Sequence, residues 1–396
     1  MKQLLAYCLS IILCVSFTGC MENYLDLYPE DKITSASFPE NESDIKLLLN
    51  GVYAQLREKE VYNQGLFGFG ITDGATPNAF NWGTDEVFNK LGAGRLSSSD
   101  GGVVTYRWKR CYEIISRANY LLACMDLVDL SEEAKAKYSG ETHFLRGLAY
   151  SVLAETYGGV PIILTNISTE EARSLKRASL EETWQQALDD YEVAITNLGV
   201  DAPEPGRATK GAALGMKMRA YLYQGKYKEV LSCVEQIDAL KKYGLFHSYE
   251  GLFDPANENN KEVLFDIQYI EGENSQGSYI DQYCGTGTGS WTRGSRYVPT
   301  DDLVAAYETI DGSPVDPENP YENRDPRLGF TAVLPGSYFL GYRFPNYLYP
   351  GGAFNHAGNR LKHLSTRKYR IQDESKLPPS GQSYINDIIL LSLIHI

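Results

Sequence analysis

The five histidines, His143, His247, His356, His363 and His395, are the only imidazoles in the chain. None stands in an HExxH helix pattern or beside a recognisable nucleophile. There is no GxSxG elbow and no phosphate-binding loop. Gly285-Thr286-Gly287-Thr288-Gly289 is glycine-rich, but a dinucleotide site needs a strand before it and a helix after it, and the flanking residues show neither pattern. Glycosidase chemistry needs two carboxylates about 5–10 Å apart across the sugar. With 51 acidic residues some pair will meet that spacing, so sequence alone leaves this route open. Asp254 to Glu262 is acidic and amide-rich but lacks the spacing and glycine of an EF-hand loop, which leaves a Ca2+ site open with no motif to support it. There is no CxxC and no Cys/His metal spacing. Cys111 and Cys124 fall on one expected helix about 20 Å apart, too far for a disulfide, and read as buried free thiols.

The chain is instead rich in aromatic side chains set in glycine-broken stretches. Of its residues 12% are aromatic, through 29 Tyr and 14 Phe against 4 Trp. Tyr has an apolar body and a polar tip, which suits wet contact surfaces as well as cores. From Asn63 to Gly102 the glycines, Asn and Ser break any period. A loop that long in a compact domain is functional or disordered, and Phe67, Phe69, Phe80, Trp82 and Phe88 argue against disorder. Residues 270 to 300 have the same texture around Gly285 to Trp291.

Helices must hold these loops. Ile45, Leu48, Leu49, Val52 and Leu56 share one face of a helix over Asp44 to Glu58, with Asn41 and Ser43 as candidate caps. Trp108, Cys111, Tyr112, Ile115 and Leu122 stripe a second helix, Val104 to Leu127. A third, Glu132 to Tyr157, stops at Gly158-Gly159 before Pro161. Ser179-Leu180-Glu181-Glu182 is a capping box opening a helix that runs to Gly199. Lys210 to Gln224, a tight turn at Gly225-Lys226-Tyr227, and a helix through Val230, Leu231, Val234 and Ile237 make a tetratricopeptide-like hairpin. Trp108 and Trp184 sit on helical stripes and read as core. Lys261 to Tyr269 alternates at Val263, Phe265, Ile267 and Tyr269, a short strand with Leu264 as the exception. A short helix over Asp302 to Glu308 follows, and Asn319 to Gly381 carries no long element.

With 37 basic and 51 acidic residues the net charge is −14, a poor match to nucleic acid or an anionic membrane through bulk charge. Lys2 followed by the apolar run Leu4 to Phe17 matches a secretory signal and is too short to span a bilayer. Phe17-Thr18-Gly19-Cys20 then resembles a bacterial lipoprotein signal, with Cys20 as the lipidated residue. An ordinary secretory signal that contains a cysteine is the other reading.

Five stretches share one family resemblance. Trp108, Tyr112, Ile115, Ala118 and Asn119 form the first. Gly140-Glu141, Phe144-Leu145-Arg146, Tyr150, Gly158 and Val160-Pro161 form the second, although Thr142 and Gly147 stand where Ala is usual. Tyr24-Leu25-Asp26 with Pro29 follows Cys20. Leu303-Val304, Tyr307-Glu308 and Asp311-Gly312 lead to the most specific, Arg324-Asp325-Pro326-Arg327-Leu328. Together they resemble the SusD/RagB family of Bacteroidetes outer-membrane lipoproteins. The resemblance implies a mostly α fold, with tetratricopeptide-like helix pairs packed against an irregular loop-rich region with few short strands. It divides the chain into a signal peptide over 1–19, an N-terminal helical region over 20–245 and a C-terminal region over 246–396. It implies further helices beyond Tyr384 to Leu391, which resembles the entry to one. Ser392 to Ile396 does not continue that pattern, so the C-terminal region reads as truncated, with an uncovered apolar end and poor stability expected.

The function implied is non-catalytic. A lipid-anchored protein of the outer membrane, facing the cell exterior, binds an oligosaccharide or other polymeric nutrient and passes it to a SusC-type TonB-dependent transporter; no cofactor is implied. Glycan binding needs flat aromatic faces against sugar C–H faces, with amides, carboxylates or Arg for the hydroxyls. Loop 67–95 offers Asp73, Asn78, Phe80, Asn81, Trp82 and Arg95. Loop 279–297 offers Tyr279, Tyr283, Trp291, Arg293 and Tyr297. The bland reading is that each Trp packs its loop onto the body. Arg324-Asp325-Pro326-Arg327 reads as structural, its guanidinium tying loops through carboxylate or backbone carbonyls. A tetratricopeptide-type adaptor with only protein ligands is the alternative function.

Overall fold

The computed structural model describes residues 38–57, 73–81, 90–270, 277, 297–339, 342–344, 364–368 and 384–392. Helix α1 (Glu42–Tyr53) starts where expected because Asn41 caps it, its side-chain oxygen accepting from the N–H groups of Ser43 and Asp44 at 2.9 and 3.2 Å. Its buried face, Ile45, Leu49 and Val52, meets α2 (Val103–Cys124) and α3 (Glu132–Tyr157). A one-turn α4 (Thr169–Ser174) carries its own Ser168–Glu171 capping box. Helix α5 (Leu180–Asn197) carries the box at Ser179 and Glu182 that the sequence announces, and packs along α3. Helices α6 (Lys210–Tyr223) and α7 (Tyr227–Ala239) form the expected hairpin. Gly225 turns the chain between them at φ +70°, a conformation that side chains rarely adopt.

The α3–α5 contact is close because Gly147 allows it. A Cβ there would lie 3.0 Å from the Tyr191 ring and 3.1 Å from the Ala187 carbonyl oxygen. Beside that contact a buried polar group decides the packing. The Arg146 guanidinium donates to both Asp190 carboxylate oxygens (2.7 to 3.2 Å) and to Asn119 Oδ1 (2.8 Å). All three residues are almost completely buried. Asn119 in turn donates to the carbonyls of Ile163 and Thr165, so α2, α3, α5 and the segment after α3 are tied at one point. Tyr112 and Tyr150 donate to the Pro161 and Ile163 carbonyls of the same segment. Trp184 is core and Trp108 packs against the core, edge-on to Tyr157, as the helical stripes require. Cys111, Cys124 and Cys233 are buried free thiols. Among the described residues no helix is long and apolar enough to cross a membrane.

Strands are short and paired two by two. β2 (Val263–Ile267) pairs antiparallel with β8 (Asp387–Leu391), joining Ile267 to Asp387 and Val263 to Leu391 through an irregular register. Leu264 breaks the alternation because β2 is buried on both faces, so polarity need not alternate along it. The expectation that Tyr384 to Leu391 enters a further helix is corrected: Asp387–Leu391 is a strand. The β-branched pair Ile388-Ile389 suits a strand, and β2 supplies the pairing edge. β8 is seated on α6, with Leu390 against Gly215 and Arg219 donating to the Ile389 carbonyl at 2.7 Å. β1 (Ala79–Asn81) pairs with β3 (Tyr297–Pro299), β4 (Ala332–Val333) with β7 (Ser365–Thr366), and β5 (Tyr338–Phe339) with β6 (Tyr342–Arg343). The short α8 (Asp301–Ala306) and α9 (Arg327–Thr331) lie between these strands in sequence.

Replacing Arg146 by Ala leaves Asp190 charged, buried and unpaired. Chemical denaturation should show a loss of about 3–5 kcal/mol, and the pair replacement Arg146→Met with Asp190→Leu should recover most of it. A loss below about 1 kcal/mol for the single variant would show that the bundle does not depend on this group.

Candidate ligand-binding site

The two aromatic loops are joined by backbone hydrogen bonding. In the β1–β3 ladder Asn81 faces Tyr297, Phe80 faces Val298 and Ala79 faces Pro299. The end of loop 279–297 is therefore fixed beside the middle of loop 67–95, although the two are more than two hundred residues apart in sequence. Thr300 extends the join. Its N–H donates to the Asn78 carbonyl at 3.0 Å and its hydroxyl to the Pro77 carbonyl. The same hydroxyl accepts from the Leu303 N–H at 3.2 Å and so caps α8.

The turn leading into β1 is self-organised. The Thr76 N–H and hydroxyl both donate to the Asp73 carbonyl, at 2.9 and 2.8 Å, and the Thr76 hydroxyl accepts from the Asn78 N–H at 3.2 Å. The chain after residue 90 packs on this turn, since a Cβ at Gly92 would lie 3.2 Å from the Ala75 backbone. Asp73, Asn78 and Arg95 are exposed, and Phe80 keeps 50% of its surface free. Phe80 is thus not packed into the body, whereas its partner Val298 is buried. Asn81 and Tyr297 face each other through the ladder. Trp82, Tyr279, Tyr283, Trp291 and Arg293 lie outside the described residues, as does Cys20.

Behind the ladder, β3 touches β7, and the chain leaving β7 brings in residues that sequence reasoning missed. Lys368 sets its ammonium 4.1 Å from the Phe253 ring centroid and 5.7 Å from that of Tyr249. Burial pushes its amine down to about 8, against the opposing pull of the Asp73 carboxylate. The i,i+4 spacing of Tyr249 and Phe253 was the one available signal. Nothing in the Pro- and Tyr-rich stretch around Lys368 distinguishes it.

Arg324 holds the scaffold under the ladder. Its guanidinium donates to the Pro320 carbonyl at 2.6 Å and to those of Val304 and Tyr307, and only 7% of the residue is exposed. The Asp325 N–H donates to the Glu308 carbonyl at 2.8 Å, and the Asp325 carboxylate takes the Arg327 guanidinium. Arg327 holds the Asp325 carboxyl below the usual range. The motif therefore ties α8 to α9 through carbonyls, the structural role its residue types imply.

Among the described residues no group of three Asp, Glu, His or Cys side chains is gathered for a metal, the Asp254 to Glu262 stretch included. A hollow of about 490 Å3 lies between the 201–207 linker and β2, and none of the candidate ligand residues lines it.

The chain belongs to the SusD family. Residues 23–222 match the family model described as "Starch-binding associating with outer membrane", and residues 261–384 match that of the SusD family. It is 26% identical over 321 residues to SusD-like protein P25 of Formosa agariphila, covering 75% of this chain and 58% of that protein. It is 23% identical over 276 residues to a SusD-like protein of Bacteroides ovatus, covering 64% of this chain and 48% of that one. The chain thus spans about half to three-fifths of the length of these relatives. Among solved structures, a SusD-like carbohydrate binding protein from Bacteroides fragilis aligns with a TM-score of 0.76 at 26% identity, over 89% of this chain and 72% of that one. A laminarin binding SusD-like protein shares the fold with a TM-score of 0.70 at 19% identity, over 89% and 78%.

Arg324→Ala strips the donors from three carbonyls at once. Stability should fall by about 2–4 kcal/mol, and limited proteolysis should open the chain between residues 301 and 331. Unchanged melting and an unchanged digestion pattern would show that the motif is dispensable to the scaffold.

Proposed function

We propose that this protein binds oligosaccharide at the cell surface, held to the outer membrane by lipid on Cys20, and passes its ligand to a SusC-type TonB-dependent transporter without catalysing any reaction. One observation carries the ligand reading: the β1–β3 ladder pairs residues 79–81 with residues 297–299 and leaves Phe80 half exposed. A half-exposed ring, with Asp73, Asn78 and Arg95 also exposed on the same loop, offers a sugar an apolar face and hydroxyl partners. Membership of the SusD family supports the reading, as does the carbohydrate-binding relative from Bacteroides fragilis. The transporter partner, the outward-facing anchor and the lack of catalysis rest on what the family resemblance implies.

The adaptor reading has its own observation. Tyr227 and Leu231, one turn apart on α7, expose about two thirds of their surface beside Leu222 and Tyr223. A glycan array followed by calorimetry on the best ligand separates the two. Under the oligosaccharide reading, Phe80→Ala, Trp82→Ala and Trp291→Ala each weaken binding about three- to tenfold, the worth of one stacked ring, and the triple variant binds nothing detectable. An array with no hits, or a triple variant that binds as tightly as the parent, would leave the adaptor reading standing.

A further inference from the structure

The hollow between the 201–207 linker and β2 stands apart from the loop site and has the make-up of a site of its own. At about 490 Å3 it falls in the range, about 300–1,000 Å3, of ordinary small-ligand pockets. Its charges balance. Arg207, Lys242 and Lys261 stand against Asp201, Glu204 and Asp266. Lys242 reaches Asp201 at 2.9 Å and Arg207 reaches Glu204 at 3.3 Å. Asp266, 4% exposed, accepts from Gln268 at 2.7 Å and from the Asn386 side-chain amide at 3.2 Å. The Asn386 N–H goes to Glu258 Oε1 at 2.7 Å. Three charges of each sign give no net pull on an anion or a cation, yet they crowd donors and acceptors into one space. The walls are fixed as well. Gly206, at φ +78°, brings the linker so close that a Cβ there would lie 2.4 Å from the Gln268 side chain. Lys242 also donates to the Val200 carbonyl at 2.8 Å, and the Tyr243 hydroxyl is bonded to that of Thr209 at 3.1 Å.

We propose that this hollow binds a neutral sugar of one or two pyranose units, through the Tyr243 ring and the N–H groups of Lys242, Asn259 and Lys261. A pyranose needs an apolar face for its C–H groups and, round its rim, donors and acceptors for its hydroxyls. Tyr243, half-buried in the hollow wall, supplies the first. The donors are left over from the protein's own bonds. Lys242 uses two of its three N–H groups on Val200 and Asp201. Asn259 accepts from Gln268 through Oδ1 at 3.1 Å, which leaves its amide N–H groups. Among the described residues nothing bonds the Lys261 ammonium, which is exposed. Asn259 also holds φ +55°, a backbone that costs any residue but glycine some strain. An adjoining hollow of about 390 Å3 shares Glu204 to Arg207, Phe265 and Asp266 and adds Asn50 and Gln268, room for a second unit. The balanced charges select the neutral sugar, because an added carboxylate or ammonium meets its own sign as often as the opposite one. A site for so short a sugar binds in the millimolar range, below what calorimetry on a longer array ligand registers. The assignment does not rest on the loop reading, since none of the loop candidates lines either hollow.

Saturation-transfer NMR on the full chain tests the site, with the methyl glycosides of glucose, galactose and mannose as probes and glucuronate and glucosamine as charged controls. In the background Phe80→Ala, Trp82→Ala, Trp291→Ala, which removes the loop candidates, at least one methyl glycoside should still bind with a millimolar Kd, and the charged controls no tighter. Asn259→Gly, which keeps the backbone because glycine accepts its φ, and Lys261→Ala, at an exposed position, should each weaken that binding about three- to tenfold while melting with their parent. Together they should abolish it. No methyl glycoside bound in the triple background overturns the proposal, as does binding that survives Asn259→Gly with Lys261→Ala, or binding of a charged control alone. Hydrogen exchange on the parent chain serves if the triple background does not fold: a saturating methyl glycoside should slow exchange in residues 259–268 roughly threefold or more and leave α3 unchanged, and no slowing there overturns the proposal. A glycan array without hits beside methyl glycosides bound in this hollow would sink the loop reading and leave this site standing.

Discussion

A guanidinium without access to water forces the arrangement of the helical half. Arg146 is carried into the core by α3 and needs acceptors on more than one side, and among the described residues α5, through Asp190, and α2, through Asn119, supply them. Taking that charge out of water is costly, so helix positions that leave any of these donors unsatisfied are disfavoured by several kcal/mol. Apolar packing among Phe144, Leu148, Ala187 and Tyr191 supplies most of the stabilisation but tolerates sliding. The buried ion pair fixes which turn of α3 meets which turn of α5.

The loop-rich half is held by a similar device built from carbonyls. Arg324 gathers backbone oxygens from around α8, and Asp325 aligns Arg327 at the start of α9. Helices this short cannot hold themselves. Fixing their ends to one guanidinium gives β3 a stable base, from which Thr300 reaches Pro77 and Asn78. The candidate site therefore depends on a chain of polar contacts running from Arg324 through α8 and Thr300 to the turn that carries Phe80.

Legibility followed the range of the forces. Asn41 and Ser179 cap helices within a few residues of themselves, and the sequence shows those starts directly. The apolar stripes of α1, α2 and α5 and the glycine turn before α7 were equally readable. Leu264 was misleading because alternation reports one buried face, and β2 has two. The resemblance implies a helix entry at Tyr384 to Leu391, and the partner that makes it a strand lies about 120 residues away. Lys368 itself left no trace, since its environment is assembled from the Tyr249 to Phe253 stretch and from Asp73, two separate parts of the chain.

The sequence by itself determined the long helices, the caps at Asn41 and Ser179, the stop at Gly158, the aromatic character of the two loops and the resemblance that the family models match. Each is written in residue order over a turn or two of chain. Only the tertiary structure decided that β1 pairs with β3, that β8 lies on β2 over α6, and that Glu258 and Asp266 converge on Asn386. Those pairings depend on closing long stretches of chain and on which buried polar groups find partners, and neither has a period along the sequence.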